Sequence, residues 1–350
     1  MTTRRLFVSW AGAALATTAT AAPAPAGGPT LRERWAARRA ERSADPARPT
    51  RAADDWAWTD ASRQRTLPLR LRLPGGSGPV PCVLFSHGLG GSVEAGAEWA
   101  QAWAEAGIAT LHLQHPGSDT EVLRQGGPRA LQKAADAEQL EARALDVRFV
   151  LDELARRQAA GEAALARLRL DAIGMAGHSF GAHTTLAVAG QSYGRRGPAP
   201  LADPRPRAFA AFSPSPPARG DGGFGGIARP VLCLTGSLDT DPFAKPGSER
   251  ATQGDYRRQV FDALPSGSGR KAELWLDGAD HATFSGNAKG QRSARPRPDP
   301  AVAQAERHHA LIRAASTDWW RAHLLDDADA RQRLSQAPAG IGPQDAWRTA

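Results

Sequence analysis

The chain has 350 residues, which is enough for one large domain or two ordinary ones. Hydrophobic residues make up 41 % of it, too large a share for a disordered chain, and 36 glycines with 27 prolines indicate many turns. The formal net charge of +8 comes mainly from arginines scattered along the chain, and no zinc-finger or RNP-type signature accompanies them. This distribution argues against a phosphate-binding surface, and we expect no nucleic-acid partner.

The first 26 residues have the order of a signal peptide. A basic pair, Arg4-Arg5, precedes an apolar run from Leu6 to Leu15 that is too short to span a bilayer. The pair resembles a twin-arginine export signal, and Ala19-Thr20-Ala21 and Ala24-Pro25-Ala26 are alternative cleavage sites. No cysteine follows this run closely enough for a lipid anchor. We therefore expect a periplasmic or secreted protein without a stable membrane anchor.

The rest of the chain divides into a linker, one domain and a tail. Residues 27–53 are rich in Arg, Ala and Pro and predict a linker, so that the domain is expected at 54–326. Residues 327–350 are expected to form a C-terminal tail that is mobile after about Gln336. The polar segment from Ser285 to Pro300 predicts a further mobile loop.

The pattern of apolar residues predicts an α/β fold. DWAWTD and LPLRLRLP alternate apolar with polar residues, as half-exposed antiparallel strands do. Six short apolar runs have the pattern of buried parallel strands: PVPCVLFSHG, IATLHLQHP, LDAIGMAGHS, RAFAAFSPS, PVLCLTGSLD and AELWLDGADH. Helical patterns lie between or after them, at 96–107, 139–157, 182–188, 248–264 and 301–324. We expect a mostly parallel sheet of about eight strands with helices on both faces.

Ser179 lies in Gly177-His178-Ser179-Phe180-Gly181, between an apolar strand and a helix. A sharp strand-to-helix turn crowds the backbone, so that residues 177 and 181 must be small while the serine side chain points outward. This G-x-S-x-G pattern predicts a nucleophile, and the alternative is a structural turn.

An earlier glycine-rich segment, Ser86-His87-Gly88-Leu89-Gly90-Gly91, also follows an apolar strand. Its backbone N–H groups could hold the oxyanion that forms when a serine attacks an ester. The alternative is an ordinary glycine turn. We expect His87 itself to be a structural hydrogen-bonding residue rather than the base.

Asp239 and His281 end two later strands, so that the chain order is Ser, Asp, His. In such a triad the histidine takes the serine proton, and the aspartate fixes the histidine tautomer. The alternative residues are Asp241 for the acid and His183, His308 and His309 for the base.

These motifs are similar to those of α/β-hydrolases, in particular platelet-activating-factor acetylhydrolases and bacterial proteins labelled predicted dienelactone hydrolases. The similar motifs are Ser86-His87-Gly88-Leu89-Gly90, His115-Pro116-Gly117-Ser118 and Gly177-His178-Ser179-Phe180-Gly181, within a match from about Asp55 to Leu325. The resemblance implies the α/β-hydrolase fold and an oxyanion hole formed by the backbone N–H groups of Leu89 and Phe180.

The chain departs from this family pattern in two ways. Some acetylhydrolases of this type take their acid from the strand that follows the elbow helix. The matching end here, Ala210-Ala211-Phe212-Ser213, has no carboxylate, which favours Asp239. Dienelactone hydrolases use a cysteine nucleophile, whereas residue 179 is serine, which argues against a dienelactone substrate.

The sequence predicts an exported serine hydrolase that cleaves small-molecule carboxylic esters. An amidase or peptidase with the same triad and a non-catalytic binding protein on the same fold are the alternatives. Because no metal-ligand cluster, P-loop or dinucleotide fingerprint is found, we expect neither metal nor cofactor.

The segment SPPARGDGGFGGIA, with five glycines and two prolines, is too short and glycine-rich for a helical lid. An open site buries little acyl chain, so we expect short acyl groups, acetyl to butyryl. His87, His115 and Phe284 are candidates for the substrate pocket.

Cys82 and Cys233 lie in two of the predicted core strands, so we expect two buried free thiols. In the usual strand order of this fold, three steps of ~4.8 Å separate the two strands. The resulting separation of roughly 14 Å exceeds the ~7 Å limit for a disulfide.

Overall fold

The computed structural model describes residues 54–193, 201–217, 223–267, 269–287 and 296–350. The predicted signal peptide and the whole of the predicted linker lie outside these ranges, as do residues 288–295 of the predicted mobile loop. Among the described residues, no helix is both long enough and apolar enough to cross a membrane.

The described strands form one sheet. They are β1 (Asp54–Asp60), β2 (Arg65–Arg72), β3 (Val80–Ser86), β4 (Ala109–Leu113), β5 (Leu168–His178), β6 (Pro206–Phe212), β7 (Val231–Leu238), β8 (Lys271–Asp280) and β9 (Ala346–Thr349). Their order across the sheet is β1-β2-β4-β3-β5-β6-β7-β8-β9. Six neighbouring strands of this order, β4, β3, β5, β6, β7 and β8, are parallel to one another. Strands β1, β2 and β9, at the two edges, pair antiparallel with their neighbours. The six predicted parallel strands are confirmed.

Helices cover both faces of the sheet. They are α1 (Ala97–Glu105), α2 (Thr120–Lys133), α3 (Ala137–Ala159), α4 (Phe180–Ala189), α5 (Glu249–Thr252), α6 (Gln259–Ala263), α7 (Asp299–Ala303), α8 (Ala305–Leu324) and α9 (Ala328–Leu334). Buried side chains of α3, α4 and α6 form one apolar core with the sheet. The tryptophans of α1 and α8 belong to the core of the other face, where Trp103 Nε1 donates to Ser316 Oγ at 3.0 Å.

The C-terminal segment differs from its prediction as a mobile tail. Residues 346–349 form β9, which adds a ninth strand by pairing with β8. Trp347 Nε1 also donates to Leu334 O at 3.0 Å. Backbone pairing with an existing edge holds this strand, and its four residues contain no apolar run that a pattern could detect.

The structure also differs from the prediction in detail for three other segments. Helix α2 was not predicted because Gly126, Gly127 and Pro128 interrupt its pattern, and Gly127 has a non-helical φ of 66°. The predicted helix at 248–264 is divided into α5, a 3₁₀ turn at Asp255–Arg258, and α6. Strand β2 is more buried than its alternation predicts, because Arg70 pairs with Asp55 at 2.6 Å.

The two cysteines lie on β3 and β7, with β5 and β6 between them, as the expected strand order requires. Both are buried and free. Burial raises the pKa of the Cys82 thiol to about 12, so the folded protein should be inert to thiol reagents near neutral pH.

We expect Ellman's reagent to titrate two thiols in the denatured, non-reduced protein and almost none in the native protein. A denatured protein without thiols would contradict this strand order.

Candidate active site

Ser179 occupies a strained turn between β5 and α4. Its φ of 56° and ψ of −117° lie where non-glycine residues are rare. The turn is held by Ser179 N–H, which donates to Phe212 O at 2.9 Å. A Cβ atom would lie 2.2 Å from Gly181 O if it were added to Gly177, and 2.0 Å from Ser86 O if it were added to Gly181. Both glycines are therefore required by close backbone approach, as the sequence predicts.

Three side chains meet beside this turn. His281, in the 3₁₀ turn His281–Ser285 after β8, has its Nε2 3.0 Å from Ser179 Oγ. Its Nδ1 is 2.7 Å from Asp239 Oδ1, and Asp239 directly follows β7. The hydroxyl is a donor and the carboxylate an acceptor, so Nδ1 carries the proton and Nε2 is free to accept one. The structure thus brings together the three residues that the sequence predicts as a triad.

The Asp239 carboxylate is fully buried and charged. Burial alone would raise its pKa, but the charge of Arg257 and the hydrogen bond from His281 outweigh burial and lower the pKa to about 2. Thr235 Oγ1 donates to Asp239 Oδ2 at 2.9 Å, and Arg257 Nε lies 3.0 Å from Asp239 Oδ1. The carboxylate is therefore held in one orientation toward His281.

The alternative residues lie in other contacts. His308 Nε2 is 3.0 Å from Asp277 O, and His309 Nδ1 is 2.9 Å from a Glu98 carboxylate oxygen. Asp241 accepts from Phe243 N–H at 2.8 Å. His183 is on α4, one turn past Ser179. Among the described residues, none of these four side chains has a hydrogen bond to the side chain of Ser179 or His281. The backbone N–H of His183 donates to Ser179 O at 3.3 Å.

The predicted oxyanion loop, residues 86–91, lies against the serine turn. A Cβ added to Gly88 would be 3.4 Å from Ser179 Cβ. Gly90 N–H donates to Ser118 O at 2.9 Å, and the side chain of Leu131 on α2 covers Gly90. The backbone N–H groups of Leu89 and Phe180 donate no hydrogen bond within the described parts of the chain.

Sequence reasoning missed a buried network beneath this loop. Ser86 Oγ is 3.0 Å from His115 Nε2, and His115 Nδ1 is 3.0 Å from Asp146 Oδ2. Arg143 on α3 donates to Ser86 Oγ at 3.2 Å and to the carbonyl of His87. The signal that could have indicated it is the polar pair Arg143 and Asp146 on an otherwise apolar helix face.

Arg143 also connects the two predicted oxyanion donors. Its guanidinium carbon lies 4.7 Å from the centroid of the Phe180 ring, while the same group holds the loop that carries Leu89. Arg143 is fully buried, and burial lowers its pKa to about 9. A single cation thus packs against both sides of the predicted hole.

The three candidates for the substrate pocket are not exposed to it. His87, His115 and Phe284 are each 0 % exposed, so their side chains touch protein atoms on all sides. His87 Nε2 accepts from His115 N–H at 2.9 Å, and Phe284 O accepts from Trp99 Nε1 at 3.2 Å. The prediction that they line a pocket is wrong in this structure, because their positions at strand ends lie under the loops.

Four buried histidines make stability depend on pH. Burial lowers the pKa of His115 to about 4 and of His178 to about 3, and it lowers the pKa of His87 and His112 well below 6.5. In the unfolded chain these side chains bind protons near pH 6.5. The unfolded state therefore binds more protons below pH 6.5, and acid favours unfolding down to the native pKa values.

We expect the free energy of unfolding to fall as the pH drops from 6.5 toward 4, by up to ~1.4 kcal/mol per pH unit for each histidine. Urea denaturation at pH 7, 6 and 5 measures this, with the midpoint lowest at pH 5. Equal midpoints at the three pH values would show that the histidines are not buried in the neutral form.

The rim of the site is formed by loops and by α2. In the described part of the interval between β6 and β7, the only helical element is the 3₁₀ turn Phe224–Gly226. On the other side, α2 follows the Gly91–Asp119 bridge and places Leu131 on the oxyanion loop. No group of three or more His, Cys, Asp or Glu residues that could hold a metal ion is found within the described ranges.

The sheet order, the serine turn and the three side chains at the strand ends define the α/β-hydrolase fold. A ferulic acid esterase from Streptomyces cinnamoneus matches with a TM-score of 0.57 and 20 % identity, over 87 % of this chain and 98 % of the esterase. A 2,6-dihydroxy-pseudo-oxynicotine hydrolase matches with a TM-score of 0.50 and 17 % identity, over 78 % of this chain and 68 % of the hydrolase. At such identities the likeness concerns the fold. No family model and no curated protein sequence matches the chain.

Proposed function

We propose that this protein is a serine hydrolase that cleaves carboxylic esters. One observation carries the proposal: Ser179 Oγ is 3.0 Å from His281 Nε2, and His281 Nδ1 is 2.7 Å from the buried carboxylate of Asp239. These distances are those of a nucleophile hydrogen-bonded to a base that a third group orients.

In the proposed reaction, Ser179 Oγ attacks the ester carbonyl while His281 Nε2 takes the serine proton. The resulting oxyanion accepts hydrogen bonds from the backbone N–H groups of Leu89 and Phe180. His281 then gives the proton to the leaving alkoxide, which departs as the alcohol. Water attacks the acyl-enzyme with the same residue as base, and the acid product leaves.

A pre-steady-state experiment tests this reaction. With p-nitrophenyl acetate in excess, we expect a burst of about one p-nitrophenol per chain, followed by a slower steady rate, because p-nitrophenol leaves when the acyl-enzyme forms and we expect hydrolysis of the acyl-enzyme to be the slower step. The matched p-nitroanilide distinguishes esters from amides. Faster cleavage of the anilide would favour the amidase alternative, and no turnover of any ester would contradict the proposal.

We further propose that the substrate has a short acyl group. The support is the absence of a helical cap in the described interval between β6 and β7, which leaves the rim to loops and α2. Each buried methylene is worth only ~0.8 kcal/mol, and an open rim buries few of them. On p-nitrophenyl esters graded by length, kcat/KM should be highest from acetate to butyrate. A steady rise from butyrate to palmitate, or a jump in rate above the solubility limit, would contradict this.

Export to the periplasm or the medium belongs to the same proposal and rests on the sequence of residues 1–26. Cell fractionation tests it, with replacement of Arg4 and Arg5 by lysine as the variant. We expect the variant to remain in the cytoplasm as the longer precursor. Unchanged export of the variant would contradict a twin-arginine route.

A further inference from the structure

Arg257 lies beneath the triad and is almost completely buried, with 2 % exposure. It belongs to the 3₁₀ turn Asp255–Arg258, which follows α5. Its guanidinium donates to carbonyl oxygens at the carboxyl ends of two strands. The contacts are Ser213 O at 2.9 Å, Pro214 O at 3.2 Å, Asp239 O at 2.7 Å and Thr240 O at 3.2 Å. Nη1 also donates to Ser215 Oγ. This arginine therefore ties together the ends of β6 and β7, where the triad acid is located.

The same guanidinium touches two members of the triad. Nε is 3.0 Å from Asp239 Oδ1, and Nη2 is 3.3 Å from His281 Nδ1. Since Nδ1–H already donates to Asp239, the ring nitrogen has no lone pair for Nη2. Arg257 and His281 thus both donate to the Asp239 carboxylate, and their donor nitrogens Nη2 and Nδ1 lie next to each other without a hydrogen bond between them.

This arrangement has an electrostatic consequence for the proton on His281. When His281 takes the serine proton, a second positive charge forms next to the fixed charge of Arg257. A like charge at this distance disfavours the protonated ring, and the effect is strong where water is excluded. The charge of Arg257 therefore opposes the step in which His281 takes the serine proton, and the effect of removing that charge can be measured in the pH profile of serine activation.

Other charged or titratable groups surround this pair. From the serine turn and α4 come His178 and His183, from the segment after β7 comes Asp241, and from α5 and the following turn come Arg250 and Tyr256. Asp280 at the end of β8 is paired with Arg297 at 2.9 Å. Burial keeps His178 and His183 neutral, and it lowers their pKa values to about 3 and about 4. Arg257 is the cation in direct contact with Asp239 and His281 among the described residues.

We propose that Arg257 is a positioning residue, which orients the Asp239 carboxylate and sets the pH below which Ser179 loses its activated state. The inference rests on the proposed function, because it concerns the same triad. It adds a fourth residue that the G-x-S-x-G pattern and the chain order do not indicate.

The test follows the rate at which a fluorophosphonate labels Ser179 between pH 4 and 9. This reaction needs the activated serine but does not depend on which ester is the natural substrate. In Arg257→Gln, we expect the acid limb of the pH–rate profile to move upward by about one unit, because a like charge at this distance is removed. The rate on the plateau should also fall by about tenfold, because the carboxylate loses a partner that orients it.

Two further variants separate charge from position. Arg257→Lys keeps the charge but loses the planar fork. Its acid limb should stay at the wild-type pH while its plateau rate falls. Arg250→Gln is the matched control, since Arg250 donates to Pro216 O and Pro217 O at 3.2 Å and packs on Tyr256, without a contact to Asp239 or His281. The Arg250→Gln variant should have the same acid limb and the same plateau labelling rate as the wild-type protein.

The inference is overturned if folded Arg257→Gln has the wild-type acid limb, or if Arg257→Lys moves the limb as far as the glutamine variant does. Should Arg257→Gln not fold, Arg257→Lys decides alone, and a wild-type plateau rate in it would refute the positioning role. A wild-type protein that is not labelled at any pH would instead refute the proposed function itself. The two failures are thus distinguishable.

Discussion

Replacing Ser179 by alanine should reduce ester hydrolysis by about 10⁶-fold, the loss typical of removing a triad nucleophile. The variant should still fold, because the change removes one hydroxyl from a partly exposed turn. His281→Ala should lose nearly as much, since members of a triad act as a unit. The measurement is kcat on p-nitrophenyl acetate, with circular dichroism and the thermal midpoint as checks on folding.

The matched control for the histidine is His183→Ala. His183 lies on α4, one turn beyond Ser179, and its backbone N–H donates to Ser179 O at 3.3 Å. Its imidazole has no hydrogen bond to Ser179 or Asp239 among the described residues. We expect it to retain most of the wild-type kcat. Activity of more than a few per cent in folded Ser179→Ala would mean that another residue is the nucleophile.

The second large expected effect on kcat is that of replacing Asp239, the proposed triad acid. Asp239→Asn should lower kcat by about 10⁴-fold, because an amide in this position favours the wrong tautomer of the histidine. Its fold should persist at neutral pH, since the hydrogen bond from Thr235 at 2.9 Å can be kept by the amide oxygen. The variant also leaves Arg257 without its carboxylate partner, so some loss of thermal stability is expected.

Asp241→Asn is the matched control, because Asp241 is the other candidate in the sequence and its carboxylate accepts from Phe243 N–H, whereas the carboxylate that accepts from His281 is that of Asp239. Its kcat should stay within about threefold of the wild type, because the change leaves the hydrogen bond between Asp239 and His281 intact. If Asp241→Asn lost more activity than Asp239→Asn, the assignment of the acid would be reversed.

The sequence predicted the main strands and the meeting of the triad residues for one physical reason. Buried parallel strands have nearly continuous apolar runs, and their carboxyl ends lie on one edge of the sheet. Ser179, Asp239 and His281 each follow such a run, so their proximity could be expected although 102 residues separate the serine from the histidine. The glycines at 177 and 181 could be explained in the same way, because the crowded turn leaves no room for a Cβ atom.

The parts that were missed depend on contacts that no local pattern encodes. Arg257 reaches the ends of β6 and β7 from a turn that contains no apolar repeat. His115 and Asp146 are 31 residues apart, and although the polar pair Arg143 and Asp146 marks a buried polar site on α3, it does not indicate that His115 is the partner of Asp146. The pocket prediction for His115 was wrong because the end of a strand can lie beneath a loop as well as in a cleft.

The most direct test of the account is titration of the wild-type protein with a fluorophosphonate, followed by peptide mapping. We predict one label per folded chain, attached to Ser179, and a parallel loss of all esterase activity. Ser86, which is also hydrogen-bonded to a histidine, should remain unlabelled because it is buried. No label, or a label on a residue other than Ser179, would contradict the account.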